Sequence, residues 1–107
     1  MEKKTKLETF IGFSIRAGKY KIGGNACKTL KKANVMIVCE TTSENSKKDA
    51  ISLSKKLGCK IYKTVGVTLE SLIKKENAKI MAITDSSLAD VIIKESNNQL
   101  TEIDQEI

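Results

Sequence analysis

The chain lacks histidine and proline altogether, and each absence excludes a class of site. Without histidine, a Ser–His or Cys–His pair for nucleophilic catalysis is excluded. The same absence removes the imidazole ligands of a zinc site, and none of the three cysteines forms a C-x-x-C pair, so structural zinc is disfavoured. Without proline, no cis-proline turn is available.

Aromatic residues are also scarce, since the chain contains only two Phe, two Tyr and no Trp. A protein that recognises single-stranded bases by stacking needs aromatic side chains on one platform, so this class is disfavoured. No apolar run approaches the ~18 residues of a membrane span, and no apolar signal region follows Met1–Lys4. We therefore expect a cytoplasmic protein with no membrane partner, no metal and no cofactor.

Positive charge is plentiful but unevenly distributed. Residues 1–64 hold 15 Lys and Arg against 5 Asp and Glu, whereas residues 65–107 hold 4 against 8. A basic half followed by an acidic end is typical of a chain that binds nucleic acid, although a lysine-rich surface can also serve solubility alone. The length predicts one domain over residues 1–96, followed by a polar acidic tail over residues 97–107.

Helical and strand patterns alternate along the chain. The spacing of apolar residues predicts helices at 6–17, 25–32, 44–57 and 86–96 and a short helix after Thr68, and predicts extended segments at 19–22, 35–40, 59–65 and 78–84. Thr5, Asn25, Thr68 and Asp85 are favourable helix caps. This alternation predicts an α/β domain with a parallel or mixed sheet and helices on both faces.

A glycine pair within a basic run is the most informative local motif. Gly23-Gly24 stands before the second predicted helix, but it fits neither G-x-x-x-x-G-K-[ST] nor G-x-G-x-x-G, and a lone pair of this kind is more often a tight turn. Asn25 can both donate and accept, so it could read a base edge. A helix start attracts phosphate, and cations surround this one: Arg16, Lys19, Lys21 and Lys28, with Lys31 and Lys32 further on.

Few carboxylates could serve acid–base chemistry. Glu40 follows a buried strand, where active-site residues often lie in α/β folds, but a solvated strand end is the favoured interpretation. Asp85 is better explained as a helix cap. Cys39 lies in the apolar run 35–39 and is interpreted as a small core residue.

Five segments carry a family resemblance: Ile11–Lys19, Ile22–Asn25, Val35–Glu40, Ser43–Lys48 and Ala82–Asp85. Over about residues 6–95 the chain resembles the kink-turn-binding ribosomal-protein family (the "L-seven-Ae / L-thirty-e" type), and is similar to its bacterial ribosomal-protein-like members. The resemblance implies a three-layer α/β/α sandwich with a mixed sheet of about four strands. It also implies binding of kink-turn or similarly bent RNA, without catalysis.

The resemblance assigns the central RNA contacts to Gly23, Gly24, Asn25 and Lys28. It assigns a supporting contact with a flipped-out base to the loop Lys75–Ala78. The strong binders of the family carry Asn-Glu-x-x-Lys where this chain has Asn25-Ala26-x-Lys28, so two registers, one residue apart, are open. The full set of residues expected to bind RNA is Lys19, Lys21, Gly23, Gly24, Asn25, Lys28, Lys31, Lys32, Glu40, Lys75, Asn77 and Ala78.

Two functions from different classes follow. The first is a non-catalytic RNA-binding protein of translation, monomeric or weakly dimeric, that associates with ribosomal RNA, the ribosome or another structured RNA. The alternative is a protein–protein interaction or dimerisation module on the same fold with weak RNA affinity. An α/β enzyme of small molecules is the least favoured class, since no acid–base or phosphate motif is present.

Overall fold

The computed structural model describes residues 5–96 and 98–103, and helices alternate with strands along these residues. The helices are α1 (Lys6–Arg16), α2 (Gly24–Lys28), α3 (Glu44–Leu57), α4 (Leu69–Ile73) and α5 (Ser86–Lys94). The strands are β1 (Tyr20–Ile22), β2 (Val35–Val38), β3 (Lys60–Thr64), β4 (Ile80–Ile83) and β5 (Leu100–Glu102). The expected α/β class is confirmed.

The strands form a single mixed sheet in the order β1-β4-β2-β3-β5. β2 and β3 are parallel, whereas β4 runs antiparallel to both β1 and β2, and β5 runs antiparallel to β3. Helices pack on both faces of this sheet. The architecture is therefore the expected three-layer α/β/α sandwich.

Two apolar cores lie on opposite faces of the sheet. One contains residues of α1, α4 and α5 with Val35 and Ile37, and the other contains residues of α2 and α3 with Met36 and Val38. Successive side chains of a strand point to opposite faces, so β2 must be apolar at every position to enter both cores. All four of its residues are accordingly fully buried.

Side-chain caps fix the start of four helices. The side-chain oxygens of Thr5, Ser43, Thr68 and Asp85 each accept a hydrogen bond from the N–H three residues ahead, at 3.2, 3.2, 3.1 and 2.9 Å. Each cap satisfies an N–H that has no partner inside its helix. The predicted caps Thr5, Thr68 and Asp85 are confirmed, as is the predicted third helix over residues 44–57.

The second helix is shorter than the predicted span of residues 25–32. α2 contains five residues, and its N-cap is Gly23 rather than Asn25, which lies in the first turn. Gly23 has a φ of +95°, which L side chains rarely adopt, so glycine allows the chain to turn here. The helix ends early where Thr29 bonds back to the carbonyl of Ala26 through both its N–H, at 3.2 Å, and its hydroxyl, at 2.6 Å.

The sheet has five strands, one more than expected. The additional strand β5 comes from the segment 97–107, which the sequence predicts to be a polar tail. It pairs antiparallel with β3, and Leu100 is its buried residue. A strand of three residues with one buried side chain shows no alternating apolar pattern, so the sequence carries little signal for it. Residues 97 and 104–107 lie outside the described residues.

Two glycine substitutions should change stability in opposite directions. Gly58 follows α3 with a φ of +71°, so Gly58→Ala is expected to lower the free energy of unfolding by about 1 kcal/mol. Gly12 lies inside α1, and beyond its chain neighbours and the backbone of its own helix no atom lies within 4 Å of an added Cβ. Gly12→Ala is expected to raise that free energy by roughly 0.5–1 kcal/mol. Urea unfolding followed by circular dichroism measures both, and shifts of the same sign would contradict the assignment.

Candidate functional site

Three segments that are distant in the sequence meet at one end of the sheet. β1, β2 and β3 finish there and β4 begins there, because β4 is antiparallel to β1 and β2. Two backbone hydrogen bonds of 2.8 Å join the segments, from the N–H of Gly23 to the carbonyl of Ile80 and from the N–H of Cys39 to the carbonyl of Lys79. We call this end the candidate rim and define it as Gly23–Asn25, Cys39–Thr42 and Lys75–Ile80.

The glycine pair gives the candidate rim a bare stretch of backbone. A Cβ added at Gly24 would lie 3.9 Å from Cδ1 of Ile80, an ordinary contact. The N–H groups of Gly24, Asn25 and Ala26 donate to no acceptor among the described residues, as expected for the first turn of a helix. The side chain of Asn25 is exposed. A partner can therefore approach this backbone closely and find hydrogen-bond donors there.

Glu40 connects the end of β2 to the turn after β3. Its N–H donates to the hydroxyl of Thr64 at 2.9 Å, and its carboxylate accepts from the N–H of Gly66 at 3.2 Å. Thr64 is fully buried, so this hydroxyl has a fixed position. Glu40 is exposed, as expected of a solvated strand end, but it also braces the candidate rim.

Glu70 of α4 holds the loop that leads into β4. One of its carboxylate oxygens accepts from the N–H of Asn77 at 2.8 Å, and the other pairs with Nζ of Lys79 at 2.7 Å. Nζ of Lys79 also donates to the hydroxyl of Thr41 at 2.8 Å. Lys74 and Asn77 have φ of +60° and +62°, in the left-handed region. The Glu70 carboxylate thus stabilises an unusual loop conformation next to Ala78, which is buried.

The ion pair changes the titration of both partners. The hydrogen bond from Lys79, and then that from the N–H of Asn77, lower the pKa of the Glu70 carboxyl below its ordinary value. The hydrogen bond to Glu70 in turn raises the pKa of Lys79. Both groups are therefore charged at neutral pH, and each favours the ionised form of the other.

The buried thiol of Cys39 belongs to the same hydrogen-bond network. Its Sγ lies 3.1 Å from the hydroxyl of Thr41 and 3.4 Å from the N–H of Leu69, which donates to it. Burial raises the pKa of the Cys39 thiol, but the hydrogen bonds from Thr41 and Leu69 and the charge of Lys79 outweigh it, so the pKa is lowered. Cys39 is fully buried, as predicted for a core residue, and it links β2 to the start of α4.

The predicted RNA-binding cations do not all lie in the candidate rim. Lys75 lies in its loop, and Lys28 ends α2. The carbonyl of Lys19 accepts from the N–H of Thr84 at 3.0 Å, at the opposite end of the sheet. The remaining three are exposed and lie outside the candidate rim: Lys21 in β1, and Lys31 and Lys32 between α2 and β2.

Sequence reasoning does not identify Glu70, Lys79 or Thr41. The available signal is weak, because it consists of opposite charges nine residues apart on either side of a polar loop. The pair forms because α4 ends at Ile73 and the chain reverses through left-handed Lys74. A sequence pattern does not specify that reversal, since left-handed lysine is uncommon.

Comparisons with protein-family models and with curated proteins find no match. Among solved structures, the fold is similar to that of a protein of unknown function from Bacillus halodurans. The TM-score is 0.72 at 16% sequence identity, and the match covers 89% of this chain and 100% of that one. At this identity the likeness shows the fold alone.

The described residues contain no group of three or more His, Cys, Asp or Glu that could hold a metal ion. Among the described residues, no disulfide joins Cys27, Cys39 or Cys59, and burial raises the pKa of the Cys27 thiol to about 11. Within the same residues, no helix has both the length and the apolar character needed to cross a bilayer.

The role of Glu70 gives a pH-dependent prediction. Its pKa is lower in the folded chain than in the unfolded one, so its contribution to stability is present at neutral pH. That contribution is lost as the pH falls through the folded pKa. The ¹⁵N–¹H NMR signal of Asn77 should therefore titrate below the ordinary carboxyl range in the wild type.

In Glu70→Gln this titration should disappear, since the amide side chain carries no charge. Glu76→Gln is the matched control, because Glu76 is exposed in the same loop and forms no ion pair with a described residue. An Asn77 titration that survives in Glu70→Gln and disappears in Glu76→Gln would contradict this prediction, because it would show that Asn77 senses Glu76 and not Glu70.

Proposed function

We propose that the protein is a non-catalytic RNA-binding protein of the kink-turn-binding ribosomal-protein type, and that its candidate ligand is a structured RNA with a kink-turn-like bend. One observation carries this proposal. The glycine turn at Gly23-Gly24 and the loop Lys75–Ala78, which the family resemblance singles out, lie about 50 residues apart in sequence but adjoin in the candidate rim through β1 and β4.

The glycine turn suits a nucleic-acid backbone for steric reasons. Gly24 presents no side chain, and the N–H groups of Gly24, Asn25 and Ala26 are available to acceptors. Phosphate and base oxygens are such acceptors. The exposed amide of Asn25 can donate and accept at a base edge.

Lysine side chains supply the attraction to phosphate in this proposal. α2 contains only five residues, so its dipole is small and contributes little. Lys28 lies one turn along α2 from Asn25, on about the same face. Lys75 lies in the neighbouring loop. Contacts of this kind provide affinity that falls steeply with salt and carries no sequence information.

The loop Lys75–Ala78 is held before any ligand arrives. Glu70, Lys79 and Thr41 fix its position through hydrogen bonds of 2.7–2.8 Å. A surface that is already ordered loses little conformational entropy on binding. The fixed loop therefore suits recognition of RNA shape.

The variant Gly24→Ala should weaken RNA binding without lowering the stability of the fold. Beyond its chain neighbours and the backbone of α2, an alanine Cβ meets only Cδ1 of Ile80, at 3.9 Å, so the variant should unfold at no lower urea concentration than the wild type. It should nevertheless bind a kink-turn RNA about tenfold more weakly, because the methyl group blocks close approach of the RNA backbone. Gel-shift titration measures the affinity, and Gly12→Ala provides the same chemical change away from the candidate rim.

Unchanged RNA affinity in Gly24→Ala would show that the glycine turn does not contact the RNA. If the wild type bound neither a kinked nor a straight RNA duplex, the proposed function would be wrong. A dimer in light scattering under those conditions would favour the alternative of a dimerisation module.

Asn25→Ala and Lys28→Ala should have different effects. Lys28→Ala should weaken binding to kinked and straight duplexes alike, since a phosphate contact is indifferent to sequence. Asn25→Ala should selectively reduce the preference for the kinked RNA, by about tenfold, the scale of one base-edge contact. Parallel gel shifts on both RNAs distinguish these effects, and equal losses on both RNAs in Asn25→Ala would contradict a role in recognition.

A further inference from the structure

The positive charge of the protein is concentrated on one of its three layers. The segments 24–34 and 44–57, which pack on the same face of the sheet, contain seven lysines and two carboxylates, a balance of +5 in a chain of net charge +6. We call these lysines the basic face: Lys28, Lys31, Lys32, Lys47, Lys48, Lys55 and Lys56.

The charges of the basic face are largely unpaired. Lys47 pairs with Glu44 at 3.7 Å, and the other six form no ion pair with a described residue. On the opposite face, by contrast, Lys6 pairs with Glu95. Unpaired lysines retain their full attraction for an anionic partner.

α3 directs its lysines away from the protein core. Its buried residues are Ala50, Ile51, Ser54 and Leu57, which pack toward the sheet. Lys48 and Lys55 are exposed and seven residues apart, so they lie on one stripe of the helix. With a rise of 1.5 Å per residue, that stripe is about 10 Å long. α3 therefore offers a row of cations rather than one isolated charge.

The last residue of α2 and residues of α3 line a common groove. The groove has a volume of about 330 Å³ and contains a lysine from each helix, Lys28 and Lys56. α2 begins at Gly24 in the candidate rim and ends at Lys28 in the groove. Asp49 of α3 also lines the groove and forms no ion pair with a described residue. α2 thus connects the glycine turn of the candidate rim to a groove on the basic face.

The chemistry of the basic face favours a hydrated polyanion over a lipid surface. Among the described residues, the exposed large hydrophobic side chains are Phe13 and Val65, and neither belongs to α2 or α3. A helix that lies on a bilayer needs apolar side chains to enter it. A row of lysines without apolar anchors suits the phosphates of an RNA helix.

We propose that the basic face binds the phosphate backbone of an RNA helix that extends from the candidate rim, with α3 supplying contacts through Lys48, Lys55 and Lys56. This inference rests on the proposed function, because the same RNA is held at Gly24 and Asn25. The groove between Lys28 and Lys56 guides the backbone from one surface to the other, and Asp49 weakens its binding.

The first test measures salt dependence. Lys48→Gln/Lys55→Gln/Lys56→Gln should reduce the slope of log affinity against log salt by about 1 per lysine, on a kink-turn RNA with a long flanking helix. Lys6→Gln/Lys60→Gln/Lys94→Gln is the control, since it removes the same net charge from α1, β3 and α5. Glutamine is a good helix former, and circular dichroism checks the fold of both variants.

The second test predicts a gain of binding, which a damaged fold cannot produce. Asp49→Asn should strengthen RNA binding roughly two- to fivefold at low salt, because it removes a repulsive charge from the groove. Asp90→Asn, the same change at an exposed position of α5, should have no effect.

The outcomes separate this inference from the proposed function. Equal slopes for the α3 variant, the control and the wild type would overturn the role of the basic face. If Gly24→Ala nevertheless lost affinity in that case, the proposed function would stand without the basic face. An affinity that does not rise in Asp49→Asn would also overturn the role of the basic face. Wild-type protein that binds phosphatidylserine vesicles but no RNA would overturn both.

Discussion

The pairing of β4 with both β1 and β2 is the constraint on which the rest of the molecule depends. β4 lies between β1 and β2 in the sheet and so joins the N-terminal strand to the parallel pair β2 and β3. Met81 and Ile83 enter one core while Ala82 enters the other, so β4 also connects the two apolar layers. Its antiparallel direction brings the start of β4 beside the ends of β1 and β2. The candidate rim is therefore a direct result of strand direction.

The candidate rim combines a fixed part and a bare part. The fixed part depends on Glu40, Glu70 and Lys79, whose charged groups form hydrogen bonds with neighbouring protein groups. These bonds hold the loops of the candidate rim in place. Gly24 and Asn25 leave backbone donors without acceptors among the described residues. This division is typical of recognition sites, in which a supporting shell positions a smaller contact surface.

The sequence predicts the layers better than the details of the site. Helix caps and a fully apolar strand are local signals, so α3, β2 and the caps at Thr5 and Asp85 follow from the residues alone. The start of α2 could not be predicted to the residue, because Asn25 is a good cap by type while the φ of +95° at Gly23 arises from the turn out of β1. The Glu70–Lys79 pair depends on tertiary placement, and β5 on the presence of β3 beside it.

The segregation of charge between the two helical layers gives the molecule an electric dipole across the sheet. A body with +5 on one face rotates in the field of a polyanion before the surfaces touch, which reduces the number of unproductive encounters. At physiological ionic strength this torque acts only within about 8 Å. The orientation of approach is therefore a collective property of α2 and α3, whereas the lifetime of a complex depends on the few groups that meet at contact.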